Sequence, residues 1–180
     1  VHPPKVKRVV IKEIVEATSR RLQVEKGDID MAWEMFADQV KELEKNPDIQ
    51  IARIAALQIW YVGMNVSTGP LADPKVRKAI RYAIDYDGII NDIMAGAGVQ
   101  TNTFIPKGFA GYEDKIIYRT DLEKAKALLK EAGYPDGFET SMDHGDQTPY
   151  PEVAQVIQNS LSRVGIQVKL NKLVSAPFFL

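Results

Sequence analysis

The chain of 180 residues has no cysteine. That absence removes disulfide frameworks, cysteine-ligated zinc sites and thiol nucleophiles together. It does not fix the compartment, because many secreted bacterial proteins are also free of cysteine. Histidine is nearly as scarce, with His2 and His144 as the 2 examples, so no multi-imidazole metal site is available. There is no excess of charge: 23 Lys and Arg face 24 Asp and Glu. That balance gives no electrostatic case for nucleic acid or an anionic membrane as partner. No apolar run approaches the ~20 residues needed to span a bilayer, and there is neither an internal repeat nor a low-complexity segment. The start, VHPPKVKRVV, has no Met and no apolar signal core. Either a targeting segment has been removed or the chain begins in mid-protein. The end, SAPFFL, carries apolar side chains with no cap or charge, which points to truncation within a larger domain.

What remains is an ordinary soluble composition, 45% hydrophobic and 26% charged. Apolar patterning alternates between helical and strand periods. Val6 to Ile14, Ile29 to Trp33, Ile49 to Ala55 and Leu57 to Asn65 read as strands, dense in β-branched and aromatic residues. Thr18 to Gly27 reads as a helix capped by Thr18 or Ser19 and stopped by Gly27. Phe36 to Lys45 reads as another, ended by Asn46-Pro47. Asp73-Pro74 opens a third, with the carboxylate accepting an orphan amide and Pro74 placed where a missing N–H costs nothing. Its apolar stripe is Val76, Ala79, Ile80, Ala83 and Ile84, with Lys75, Arg77, Lys78 and Arg81 mostly off it. Asp87 is the expected cap of a short helix that stops at Gly96-Ala97-Gly98. Thr120-Asp121-Leu122-Glu123 fits a capping box, Ala125, Leu128, Leu129 and Ala132 form the buried face behind it, and Gly133 with Pro135 supplies the stop. Phe138 to Met142 and Ile166 to Leu170 alternate as half-buried strands around a helix from Glu152 to Val164. The predicted class is α/β, a mixed sheet flanked by helices.

Two stretches, GPLADPKVRKAIRYAIDYDGII (69–90) and DLEKAKALLKEAGYPDGFE (121–139), carry a resemblance. With Gly27-Asp28-Ile29-Asp30, Gly63-Met64-Asn65, Pro106 and Gly165-Ile166-Gln167-Val168 in the same order, the chain resembles the family-5 extracellular solute-binding proteins. These are the dipeptide- and oligopeptide-type receptors of bacterial ABC importers. Each match alone is only turn or cap chemistry, since Gly-Tyr-Pro after a helix is a common stop. Their order is what is specific. The resemblance implies a periplasmic-binding-protein-like, type II, two-lobed fold that closes on its ligand as a hinged clamp. Residues 1–180 are then expected to be a single partial domain, most of one lobe, truncated at both ends. It further implies a binder rather than an enzyme, at home in the periplasm or on the cell surface. The expected partners are a small solute, whether an oligopeptide or an oligosaccharide, and a membrane ABC permease. No cofactor is implied.

Candidate contacts cluster after the strand Phe138 to Met142. Asp143-His144-Gly145-Asp146 places a histidine beside two carboxylates, a set that serves metal binding or acid–base chemistry if it converges. The leading reading of these residues is a plain polar loop after the strand, with a ligand-facing loop second to it. A small α/β hydrolase or metal enzyme using Asp143, His144 and Asp146 is the alternative function. In dipeptide-binding relatives this loop often carries Arg-Pro-Tyr, where this chain has Thr148-Pro149-Tyr150. The resemblance therefore carries Tyr150 over as a ligand contact, by stacking or through its hydroxyl. Thr148 cannot clamp a carboxylate as Arg does, which favours a neutral or polyhydroxylated ligand. The expected ligand-binding residues are Tyr150, Thr148, His144, Asp143 and Trp33. Trp33 is read as cleft-facing or core, and Trp60 as core. Gly96 and Gly98 read as a turn, Ser160 and Ser162 lack a partner base, and Lys41 to Lys45 reads as a solvated helix face. A third reading is an adaptor domain with an exposed Phe178-Phe179 edge.

Overall fold

Two compact units make up the chain, Val1–Ile54 and Ala55–Leu180. The computed structural model describes residues 5–33, 35–52 and 58–174. In the first unit, helix α1 spans Ala17–Lys26 and helix α2 spans Ala37–Leu43. α1 stops at Gly27, as expected from sequence, but neither Thr18 nor Ser19 caps it: the N-cap is Glu16, without a side-chain bond. Thr18 is used otherwise, its hydroxyl accepting from Gln39 Nε2 at 3.3 Å and so tying α1 to α2. Ala17 and Leu43 are the buried apolar side chains of this unit among the described residues.

The strand expected over Val6 to Ile14 is absent. Val6, Val9, Val10, Ile11 and Val15 are exposed, and this segment pairs with no strand among the described residues. β-branched composition favours an extended chain, but a strand exists only where a neighbour takes its hydrogen bonds. Ile29 to Trp33 is likewise turn and irregular chain. Of the two further expected strands, residues 53–57 lie outside the described residues, and 49–52 and 58–65 are not in strand. The adaptor edge at Phe178-Phe179 also lies outside the described residues.

From Asp73 onward the second unit follows the sequence closely. Helix α3 is Pro74–Ala83, with Asp73 Oδ1 accepting from the Lys75 amide at 2.7 Å. All five stripe residues, Val76, Ala79, Ile80, Ala83 and Ile84, are buried. A π-helical turn at Gly88–Ile93 comes next. Its first amide is capped by Asp85, whose Oδ1 accepts from Gly88 N at 3.0 Å, rather than by the predicted Asp87. Helix α4 is Leu122–Glu131. Here Asp121 is the cap, accepting from Lys124 N at 3.0 Å. The predicted capping box does not form. Thr120 instead donates to Ile84 O at 2.6 Å, and Glu123 sits 3.5 Å from Lys126. α3 and α4 pack together through Ala79, Ala83, Ala125 and Leu129, where small side chains allow close approach.

Strand β1 (Glu139–Gly145), helix α5 (Tyr150–Ser162) and strand β2 (Gln167–Leu173) complete the unit. β1 and β2 pair in parallel, from Glu139 opposite Gln167 to Gly145 opposite Leu173. The α/β class is as predicted, while the paired strands among the described residues number 2 and run one way rather than forming a mixed sheet. α5 packs on both strands, and its Ile157 and Leu161 share one core with Val164 and Ile166 of the following turn and Val168 of β2. Ser160 is buried and fully used, accepting from Asp85 N at 3.2 Å and donating to Val156 O at 2.7 Å.

Both strands are entered where two glycines meet. A Cβ on Gly137 would stand 2.1 Å from Gly165 O, and one on Gly165 would stand 2.6 Å from Asp136 O. Both have positive φ, 82° and 89°. Only a residue without a side chain permits that backbone contact and that conformation together. The crossing lies just before β1 and β2, where Gln167 N donates to Phe138 O at 2.9 Å.

Candidate functional site

In a parallel β–α–β arrangement the strand ends and the following helix start gather at one edge, the usual place for a ligand crevice. β1 ends there at Gly145, and α5 begins there at Tyr150. The Tyr150 ring lies directly on Gly145: a Cβ at 145 would be 3.3 Å from its Cδ2. The ring also stacks on Trp60, with centroids 4.9 Å apart and planes 16° from parallel. The pair is half open, Trp60 being 40% and Tyr150 43% exposed. An apolar platform with a phenol at its margin can stack on a planar or ring-faced group and hydrogen-bond at its edge.

Trp60 overturns the expectation of a core residue. Its neighbour Tyr61 is exposed as well, and packs edge-to-face on Phe104 at 6.0 Å. The signal was present in the sequence: successive residues of an extended segment point to opposite sides, so Trp60 and Tyr61 cannot both enter one core. Gly145 was missed for a different reason. Its role is to be flat, and that is legible only once Tyr150 is seen above it.

The other candidates are spread out. Asp143 and His144 occupy successive positions of β1 and therefore opposite faces of the sheet. Asp143 is exposed, with Oδ1 accepting from Asn171 Nδ2 at 2.9 Å across the ladder. His144 is half-buried, on the side of Met142, and its Nδ1 lies 2.8 Å from Gly145 O. Thr148 donates to Glu152 Oε1 at 3.1 Å, bracing the first turn of α5. Glu152 is well placed there, since a carboxylate suits the positive end of a helix. Trp33 belongs to the first unit and is 59% exposed. The structure therefore brings together Tyr150, Trp60 and Gly145, and separates Asp143 from His144. A metal or acid–base centre on Asp143, His144 and Asp146 does not assemble. Among the described residues no group of three or more His, Asp or Glu is arranged to hold a metal ion.

The profile of the bacterial extracellular solute-binding proteins, family 5 middle, matches residues 1–179. The chain belongs to this family. It is 36% identical over 174 residues to the probable D,D-dipeptide-binding periplasmic protein DdpA of Escherichia coli K12, covering 96% of this chain and 34% of that protein. Among solved structures, the periplasmic binding protein DppA of Helicobacter pylori, in complex with the peptide STSA, superposes with a TM-score of 0.80 at 34% identity. That match covers 89% of this chain and 31% of the other. AgaA of A. tumefaciens R10, in complex with agropinic acid, superposes with a TM-score of 0.71 at 34% identity, covering 87% and 33%. The chain thus spans about a third of the length of the curated relatives it matches. The relatives and neighbours named here are binding proteins, and the geometry of β1 leaves the hydrolase alternative without an assembled centre among the described residues.

Proposed function

We propose that the chain forms part of an extracytoplasmic receptor that captures peptides outside the cytoplasmic membrane and delivers them to a membrane ABC permease. The observation that carries this is the half-exposed Trp60–Tyr150 stack at the strand-end edge of a family-5 chain. Tyr150 and Trp60 are the first-choice ligand contacts. Thr148, His144 and Asp143 border them in sequence, and Trp33 is a further exposed aromatic. Support for a peptide ligand comes from relatives named for dipeptides and from the peptide-bound neighbour. The periplasm or the cell surface is the compartment, in keeping with relatives named as periplasmic proteins. Ligand would act by differential affinity, favouring a closed state in which it touches both lobes.

The terminal carboxylate of such a peptide is not held at 148. Where dipeptide-binding relatives often place Arg, Thr148 spends its hydroxyl on Glu152. An aromatic platform without a guanidinium also suits the face of a sugar, so a neutral oligosaccharide is the second reading. A thermal-shift panel of di- to pentapeptides and neutral oligosaccharides, on the protein expressed from its whole reading frame, separates the two. The peptide reading requires a peptide to raise the melting temperature and Tyr150→Ala to abolish that rise, with affinity falling at least about tenfold for the loss of a central aromatic contact. A panel in which only oligosaccharides shift the melt would replace it. Because closure needs both lobes, calorimetry on residues 1–180 alone should detect no micromolar binding. A micromolar affinity there would overturn the clamp.

A further inference from the structure

The outer side of α3 holds a second feature, unrelated to the aromatic platform. Opposite the buried stripe, a cavity of about 190 Å³ is lined by Pro74, Arg77, Lys78, Arg81 and Tyr118. Three of those five side chains are cations and none is a carboxylate. In a chain with 23 basic and 24 acidic residues, that is a strong local imbalance.

Two of the cations are held in place. Arg77 Nη1 donates to Leu71 O and Ala72 O, both at 2.8 Å, which fixes the guanidinium at the start of the helix. Arg81 lies over the Tyr118 ring at 4.9 Å, and that ring is braced edge-to-face by Tyr82 at 5.1 Å. Lys78 and Arg81 are exposed, and no carboxylate pairs with either among the described residues. The carboxylates at the ends of this face are occupied: Asp73 caps α3, Asp121 caps α4, and Glu131 meets Lys75 at 3.0 Å.

A fixed guanidinium fork costs little entropy when it meets a carboxylate, and binds it bidentately. The cavity is smaller than the roughly 300 Å³ at which pockets begin to enclose a whole small molecule. It has room for the end of an acidic side chain presented by something larger. A bilayer is the poorer fit, since binding there gains from apolar side chains that insert, and the one aromatic ring here lies beneath Arg81.

We propose that the outer face of α3, through Arg77, Lys78 and Arg81, is a docking surface for an acidic segment of a protein partner. Contact at this surface is charge-driven, so it governs association rate and weakens with salt. It is independent of solute capture, and variants at Lys78 and Arg81 leave the ligand-induced thermal shift unchanged.

The probe is fluorescein-labelled hexaglutamate, followed by anisotropy on the protein expressed from its whole reading frame. Wild type should bind it at low salt. K78E/R81E should bind at least about tenfold more weakly, and K78Q/R81Q should show the same direction of change without charge reversal. K12E/K41E, which shifts net charge as much as the first variant does, should bind like wild type. Circular dichroism melts confirm that each variant is folded. The proposal is overturned if the α3 variants bind as wild type does, or if K12E/K41E loses as much. It is also overturned if about 10 mM inorganic phosphate displaces the probe completely, which would make the cavity a small-anion site. Phosphatidylglycerol vesicles test the membrane: vesicle binding lost in the α3 variants while hexaglutamate binding survives would assign the face to lipid instead.

Discussion

Alanine at Gly137 should damage this protein more than alanine at Gly133, although both glycines have nearly the same positive φ, 82° and 86°. At Gly133 a new Cβ would meet nothing within 4 Å, so the cost is that of left-handed backbone alone, about 1–2 kcal/mol. At Gly137 the same cost applies, and the Cβ also lands 2.1 Å from Gly165 O and 2.2 Å from its carbonyl carbon. Real Cβ atoms essentially never approach within 3.0 Å, so the two backbones must part by about 0.9 Å. Neither partner is a flexible side-chain end that could swing aside. Forcing extra volume into such a contact adds about 1–3 kcal/mol, giving about 2–5 kcal/mol in all. The gain from a stiffer unfolded chain is common to both variants and cancels in the comparison. Equilibrium urea unfolding in a Trp33→Phe background measures this, because Trp60 then reports on the second unit alone. Coincident midpoints for Gly133→Ala and Gly137→Ala would refute the reasoning, since it rests on the crossing being tight.

Gly145→Val should tilt Tyr150 off Trp60, because even a bare Cβ stands 3.3 Å from the ring; a loss of near-ultraviolet circular dichroism with the far-ultraviolet spectrum retained would register it. Asp121→Ala should cost about 1 kcal/mol in urea unfolding as a lost N-cap, while Glu123→Ala costs less than about 0.5 kcal/mol, the worth of an exposed ion pair; equal losses would restore the capping box that the structure lacks. Burial raises the Tyr86 phenol above its ordinary value of 10.0, outweighing Arg81, which lowers it. The unfolded chain therefore ionises first, so stability is full below pH 10 and falls as pH rises toward the folded value. Urea midpoints between about pH 9 and 11 should drop less steeply in Tyr86→Phe, and an identical slope would show that burial of this hydroxyl is not the cause.

What sequence made legible was whatever is decided within one or two helical turns. α3 is predictable because Asp73, Pro74 and a stripe at helical spacing act locally, and each was found doing what its chemistry requires. Even the failures there are small: Asp85 takes the cap expected of Asp87, and Asp121 that expected of a Thr120–Glu123 box, because several short polar residues compete for the same orphan amides. Strands fared differently. Glu139–Gly145 and Gln167–Leu173 have each other, joined through a helix that returns the chain in parallel. Val6 to Ile14 has equal or better β-branched character and no partner among the described residues. Propensity states what a segment tolerates, and pairing is a property of two segments.

The site was half legible for the same reason. Tyr150 followed from family resemblance, and Asp143 with His144 looked like chemistry because they are neighbours in sequence. Strand geometry reverses that inference, for adjacency along β1 places the two on opposite faces. Meanwhile Trp60, ninety residues from Tyr150, becomes its stacking partner at 4.9 Å. No periodicity links those two positions. The link passes through Gly145, whose missing side chain sets the height of the Tyr150 ring, and through the Gly137–Gly165 crossing, which precedes both strands of the ladder. Three glycines with no chemistry of their own thus decide where an aromatic platform can form. If the platform is the solute contact, its specificity depends on backbone approach as much as on the residues that touch ligand.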